Sequence, residues 1–194
     1  MKIGIFGGSF NPPHNMHTEI AESLLKNNYL DKIILVPTSN FYPKADLIDD
    51  KDRIAMLNIL SAKNKSISVS DYEFGRLTYT YETLEHFQKL YPQSEIYFIC
   101  GSDNLKEMDT WKAYELILSN FKVLVVNRNE NINKILEKYS KYLKNIIITN
   151  IEEQKVSSTM LRKYLKENNH KLIKDLIDPD VLEYIHKHNL YKNN

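Results

Sequence analysis

Between positions 4 and 17 the chain reads Gly-Ile-Phe-Gly-Gly-Ser-Phe-Asn-Pro-Pro-His-Asn-Met-His. Two adjacent glycines, two prolines and two histidines follow a short apolar run, more than a simple reversal of the chain requires. Gly7 and Gly8 allow positive φ and close backbone approach, so N–H groups at this turn can be aimed at a phosphate. Ser9 and Phe10 complete the turn. His14 and His17 lie three residues apart, a spacing that puts both imidazoles on one face at the start of a helix. That helix adds unpaired N–H groups and the positive end of its dipole. Together these residues suit a site that gathers the anionic oxygens of a phosphoryl group in transfer. The glycine spacing is neither a dinucleotide fingerprint nor a P-loop, which also needs Gly-Lys-Ser/Thr. Zinc is the weaker reading, because HExxH is missing and no third ligand stands nearby. A capped helix with two surface histidines is the plain alternative, and the paired glycines argue against it.

A second stretch, Val156-Ser157-Ser158-Thr159-Met160-Leu161-Arg162, has the same leaning. Ser157 and Ser158 can cap a helix whose N-terminus attracts an anion. Arg162, about one turn in, adds a fixed charge and a planar fork suited to phosphate oxygens. Taken alone, this is a helix cap with a surface arginine.

The elements that must position these residues are legible from periodicity. Apolar, β-branched or aromatic runs predict strands at 2–6, 32–37, 66–70, 95–100, 122–127 and 145–149. Helical spacing lies between them: Ile20, Ala21, Leu24 and Leu25 within 18–28, Ile54, Leu57 and Leu60 within 53–60, and Leu84, Phe87 and Leu90 within 81–90. Alternating strands and helices predict an α/β fold, a doubly wound parallel sheet of about six strands with right-handed crossovers. In such a sheet ligands bind beyond the carboxyl ends of the strands, which is where the glycine turn falls. After residue 149 only helices are predicted, at 157–167 and from Asp178-Pro179-Asp180, where an N-cap precedes Pro at the first helical position. Residues 1–194 read as one domain with a helical C-terminal tail.

Composition narrows the partners. With 26 basic and 25 acidic side chains the net charge is +1, which does not favour nucleic acid. The single Cys100 excludes an internal disulfide and a cysteine zinc site, and as the end of an apolar run it reads as a buried strand residue. No apolar stretch has signal-peptide or membrane-spanning length, so the expectation is a cytoplasmic protein working on small molecules, without membrane or nucleic-acid partners. The oligomeric state is left open.

The first motif, with both histidines, resembles the signature of the HxGH-type nucleotidyltransferases, and more closely that of the bacterial nicotinate-mononucleotide adenylyltransferase family. The Ser-Ser-Thr…Arg stretch is similar to that family's second signature, and the likeness runs from Lys2 to Tyr191. Two positions depart from the pattern: Met16 stands where the family has Gly, and Asn11 where it usually has Asp.

The resemblance implies adenylyl transfer from ATP to nicotinate mononucleotide, with Mg2+ arriving on the ATP, in NAD biosynthesis. It implies catalytic roles for His14, His17 and Arg162. ATP would be held by Gly7, Gly8, Ser9, Phe10, Gly101, Asp103, Ser157 and Ser158. Lys44, Tyr79, Thr80, Trp111 and Arg128 would hold the acceptor. Trp111 either stacks on a planar ring or anchors the core. Lys44 belongs to a Phe41-Tyr42-Pro43-Lys44 loop in place of the family's Pro-Pro-His-Lys. Alternatives are the same chemistry on nicotinamide mononucleotide or phosphopantetheine, cytidylyl transfer from CTP, or a nucleotide-binding regulatory module without turnover.

Overall fold

Six parallel strands form one twisted sheet in the order β3-β2-β1-β4-β5-β6 in the computed structural model, which describes residues 1–41, 47–128, 130–152 and 156–192. The strands are β1 (Lys2–Gly8), β2 (Lys32–Pro37), β3 (Ile67–Val69), β4 (Glu95–Gly101), β5 (Lys122–Asn127) and β6 (Ile146–Glu152). Between and after them lie α1 (Asn15–Lys26), α2 (Asp50–Ser61), α3 (Thr80–Leu90), α4 (Ser102–Glu107), α5 (Tyr114–Asn120), α6 (Ile132–Lys138), α7 (Ser158–Lys166), α8 (His170–Ile173) and α9 (Pro179–Lys187). This is the doubly wound α/β arrangement the alternation predicts. The order reverses direction between β1 and β4, so the crevice opens at the carboxyl ends of those two strands.

Both faces of the sheet are buried, which explains why its strands are apolar runs rather than alternating ones. Ile3, Ile5, Ile34, Phe98 and Val123 face one way, against Leu84 and Phe87 of α3, Leu105 of α4 and Ile117 of α5. Ile33, Leu35, Ile99 and Leu124 face the other way, against Ile20, Ala21 and Leu24 of α1. A third apolar cluster joins Met56 and Leu60 of α2 to Leu165 of α7, Ile173, and Val181 and Ile185 of α9. The helical tail is therefore packed back onto α2.

Several elements differ from the sequence expectation. The apolar stripe of α2 is Arg53, Met56, Leu57 and Leu60, shifted one position from Ile54, so that an arginine lies on the buried face. Leu90 ends α3 with 54% exposure instead of packing inward. Strand β3 is shorter than predicted, and β1 and β6 run further. Helices α4 and α6 escaped notice because six or seven residues are too few to show a period.

Gly4, within β1, lies close against Leu30, just before β2, and Ile99 of β4. A Cβ there would overlap the Leu30 side chain and come within 2.7 Å of Ile99 Cδ1. Both contacts are with terminal methyl carbons of buried side chains, which must shift to admit a methyl group. Gly4→Ala should lower unfolding free energy by about 1–3 kcal/mol, read from the urea midpoint at unchanged slope. An unshifted midpoint would show that the Leu30 and Ile99 side chains make room at little cost.

Candidate active site

The glycine turn is built differently from its expectation. Gly7 and Gly8 remain in β1, paired with Val36 and Pro37 of β2. Neither has positive φ; the left-handed residue is Phe10, at φ 44°. Positive φ is unusual for a bulky side chain and persists only where the surroundings enforce it. Here the ring does so, 1% exposed and edge-on to Phe6 at 5.8 Å and to His17 at 4.8 Å between centroids. Gly8 supplies room for that ring, since a Cβ on it would lie 3.2 Å from two Phe10 ring carbons. Gly7 has nothing within 4 Å of its Cβ position and presents bare backbone.

After Gly8 the carbonyls of the loop are taken by donors from three distant segments. Arg53 Nη1 of α2 donates to the Ser9 carbonyl at 2.9 Å. Arg162 Nη1 of α7 donates to Asn11 O, and Ser158 Oγ to Pro12 O, each at 2.9 Å. The Tyr191 hydroxyl donates to Asn11 Oδ1, also at 2.9 Å. The Ser9–Phe10 peptide is trans, so the Phe10 N–H points away from Arg53. Arg53 itself is fully buried and also bonds Ile48 O, Asn40 Oδ1 and the Asp50 carboxylate.

His14 is the N-cap of α1, and its backbone N–H donates to Nδ1 of His17 at 3.1 Å. With Nδ1 accepting, a neutral His17 carries its proton on Nε2. The two rings lie 3.8 Å apart between centroids. Burial and then the nearby Arg128 charge pull His14 down to about 4. His17 is held well below the usual imidazole value by burial, by His14 and by Arg128. Both rings are therefore neutral donors near pH 7, not standing charges. Met16, between them, is 4% exposed and packs with Phe6, Phe10 and Ile20 in the core behind the site. The departure from Gly at this position is accommodated on the far side of the helix.

Ser157 caps α7, its Oγ accepting from Met160 N at 3.2 Å. Ser158, predicted to share that role, turns instead to Pro12. Arg162 spends one arm of its fork on Asn11 and keeps its place in the cavity wall.

Two cavities meet at the glycine loop, and Gly7, Gly8, Ser9 and Asn104 line both. The smaller, about 310 Å3, gathers Phe10, His14, His17, Gly101, Asp103, Arg128, Ser157, Ser158 and Arg162. It thus brings together the predicted catalytic residues and the predicted ATP-binding residues. Arg128, grouped by the resemblance with the acceptor, lies here instead, its Nη1 2.9 Å from Asp103 Oδ2. Asp103 Oδ1 is buried with no hydrogen-bond partner among the described residues. Gly101 has no side chain because Asp103 and Arg128 fill the space a Cβ would need. Cys100 sits in the wall with its thiol pushed up by burial, inert as a nucleophile.

The larger cavity, about 650 Å3, is lined by Tyr79, Thr80 and Trp111, three of the predicted acceptor residues. Trp111 packs edge-on against Phe98 at 6.0 Å, as a core anchor would, and also lines the cavity. Lys44 lies outside the described residues. Among the described residues no group of three His, Cys, Asp or Glu side chains could hold a metal ion, and no helix is long and apolar enough to cross a membrane.

The cytidylyltransferase-like family pattern matches residues 5–164. A relative from Lachnoclostridium phytofermentans, named "Probable nicotinate-nucleotide adenylyltransferase", is 34% identical over 199 residues covering 98% of each chain. One from Clostridium tetani, of the same name, is 36% identical over 200 residues, covering 98% of this chain and 99% of its own. The chain belongs to the nicotinate-nucleotide adenylyltransferase family. A solved member, Plasmodium falciparum nicotinic acid mononucleotide adenylyltransferase complexed with NaAD, superposes with a TM-score of 0.85. It is 28% identical, covering 98% of this chain and 97% of its own.

Within this adenylyltransferase scaffold, sequence reasoning passed over Arg53, Glu73 and Tyr191. Arg53 had a signal: its spacing to Met56, Leu57 and Leu60 puts a cation on an apolar stripe, which demands a buried partner. Glu73 lines the larger cavity and accepts from Thr83 Oγ1 at 2.7 Å. Burial raises its carboxyl to about 7, outweighing the Thr83 bond and the Arg53 charge.

The buried histidines make stability depend on pH. Folded His14 titrates below its unfolded value of 6.5, so the unfolded chain binds more protons as pH falls. The His14 contribution should fall from about pH 6.5 toward pH 4 and level off below, amounting to about 2 kcal/mol of loss at pH 5, with Glu73 acting in the opposite sense over the same range. Urea unfolding at two pH values should show a smaller decline in His14→Asn than in the wild type. Equal declines would mean that His14 is not buried as the neutral ring.

Proposed function

We infer that the protein transfers the adenylyl group of ATP to nicotinate mononucleotide, giving the dinucleotide NaAD and pyrophosphate, in NAD biosynthesis. One observation carries this reading: a donor-rich cavity and an aromatic cavity share a floor of bare backbone at Gly7, Gly8 and Ser9. The relatives' names and the NaAD complex of the solved Plasmodium protein fit the same reaction.

The triphosphate occupies the smaller cavity, with its α-phosphorus over the glycine loop, and the pyridine ring occupies the larger one beside Trp111 and Tyr79. The acceptor's phosphate oxygen attacks the α-phosphorus in line. A new P–O bond forms as the bond to the β-phosphate oxygen breaks, and pyrophosphate leaves. Near neutral pH the acceptor phosphate is already largely dianionic, so no general base is required. Catalysis then rests on positioning and on donors aimed at the developing charge. His17 Nε2–H and His14 donate to phosphate oxygens, Arg162 and Arg128 supply fixed charge, and the N-terminus of α7 at Ser157 and Ser158 faces the leaving group. Asp103 Oδ1 accepts from a nucleotide hydroxyl, and Lys44 holds the acceptor phosphate. Magnesium arrives on the ATP as part of the substrate, largely ligated by water and phosphate.

Pyrophosphate release with ATP, Mg2+ and nicotinate mononucleotide tests the assignment directly; no release with this acceptor would overturn it. His17→Ala should lower kcat by about 100- to 1,000-fold with little change in KM, because its donor acts on charge that develops in the transition state. Near-normal kcat would remove His17 from the mechanism.

A further inference from the structure

We propose that Tyr191 is a positioning residue for the transfer step, its hydroxyl holding Asn11 so that His17 presents Nε2–H to the transferring phosphoryl group. The kinetic part of this inference rests on the function proposed above. The alignment of His17 can be read without any substrate.

Two left-handed residues follow α9. Asn189, at φ 55°, ends the helix, and the Leu190 N–H then closes on the Ile185 carbonyl at 3.0 Å. Asparagine tolerates that conformation well. Tyr191, at φ 60°, is the second, and a bulky side chain there is an outlier that only its surroundings can sustain. Ending the helix does not call for this second reversal. What it achieves is to turn the ring inward, into the apolar cluster of Met56, Leu165 and Ile185. There the hydroxyl donates to Asn11 Oδ1 at 2.9 Å. Burial pushes the phenol up, against the charges of Arg162 and Arg53, so the group is a standing donor near neutral pH.

Asn11 lies between the two residues that hold His17. Directly before it, Phe10 sets its ring edge-on to His17 at 4.8 Å between centroids. Three residues after it, His14 donates its backbone N–H to His17 Nδ1 at 3.1 Å. Arg162 binds the Asn11 carbonyl, while Oδ1 accepts from Tyr191 and, at 3.4 Å, from the Ile48 N–H. The hydroxyl is the shorter of the two bonds to Oδ1. Without it Phe10 and His14 can shift together, and the N–H that selects the His17 tautomer shifts with them. A neutral imidazole released from that bond carries its proton on either nitrogen. Tyr191 lines neither of the two cavities, so it acts through Asn11 and touches no reacting atom.

Tyr191→Phe provides the test, because it keeps the ring and its packing and removes only the hydroxyl. With ATP, Mg2+ and nicotinate mononucleotide it should lower kcat about tenfold and leave both KM values within about twofold. In a His17→Ala background the same change should cost at most about twofold, because the donor it aligns is gone. Nitrogen NMR of the histidine side chains near neutral pH reads the alignment itself. The wild type should show His17 as the single Nε2–H tautomer, and Tyr191→Phe a mixture of the two. Unchanged kcat, an equal loss in both backgrounds, or an unaltered His17 spectrum would overturn the role of Tyr191 and leave the proposed function intact. Wild-type silence with the acceptor would overturn the proposed function and the kinetic role with it, while the spectra would still decide the alignment.

Discussion

A backbone that is to present its N–H groups to a ligand must first dispose of its carbonyls, and the rest of this structure is arranged around that constraint. At Ser9 the peptide plane ties the two together, because turning its C=O inward turns the Phe10 N–H outward, whereas the carbonyls of Asn11 and Pro12 precede prolines and binding them fixes the loop's path alone. Inward carbonyls in a buried loop each require a donor. Arg53, Ser158 and Arg162 supply them to Ser9, Pro12 and Asn11 from α2 and α7. The most demanding of these donors is Arg53, because a fully buried guanidinium is tolerable only when its N–H groups are matched. Asp50, Asn40 and Ile48 provide that match, so α2 is fixed to the loop as firmly as the loop is fixed to α2.

The same burial that orders the loop sets the electrical state of the site. His14 and His17 sit beside Arg128 in a wall with little water, and both are driven to the neutral form. His17, with Nδ1 occupied by the His14 N–H, is a directed donor whose orientation is fixed before any substrate arrives. Fixed charge comes instead from guanidinium groups, which cannot lose their protons under these conditions. The division gives a polyanionic ligand both orientation and neutralisation without relying on a group that titrates near the working pH.

How much of this was legible depended on the range of the interaction. The strands could be read because a sheet covered on both faces leaves uninterrupted apolar runs, and the two signatures because their residues are close in sequence. The cavity that unites His14, His17, Asp103 and Arg162 follows from parallel topology, which brings the ends of β1, β4 and β5 and the start of α7 together. Positive φ was expected at Gly7 and Gly8, the residues that adopt it freely, and fell instead on Phe10. There a ring packed against His17 outweighs a backbone preference. Met16 could not be placed without knowing the rotation of α1. The placement of Arg128 depended on Gly101 leaving space for its side chain. Tyr191 left no local pattern at all, since it acts through a partner far along the chain.

The bond between Tyr191 and Asn11 joins positions 180 residues apart. During synthesis the glycine loop leaves the ribosome early, together with β1 and α1, which can pair and pack as soon as β2 follows. The loop cannot be fully tied until Arg162, Ser158 and finally Tyr191 have emerged. A nascent chain thus carries both histidines through most of its translation without the fastening that aligns them. Chains interrupted before Tyr191 carry the motif without the bond that ties Asn11.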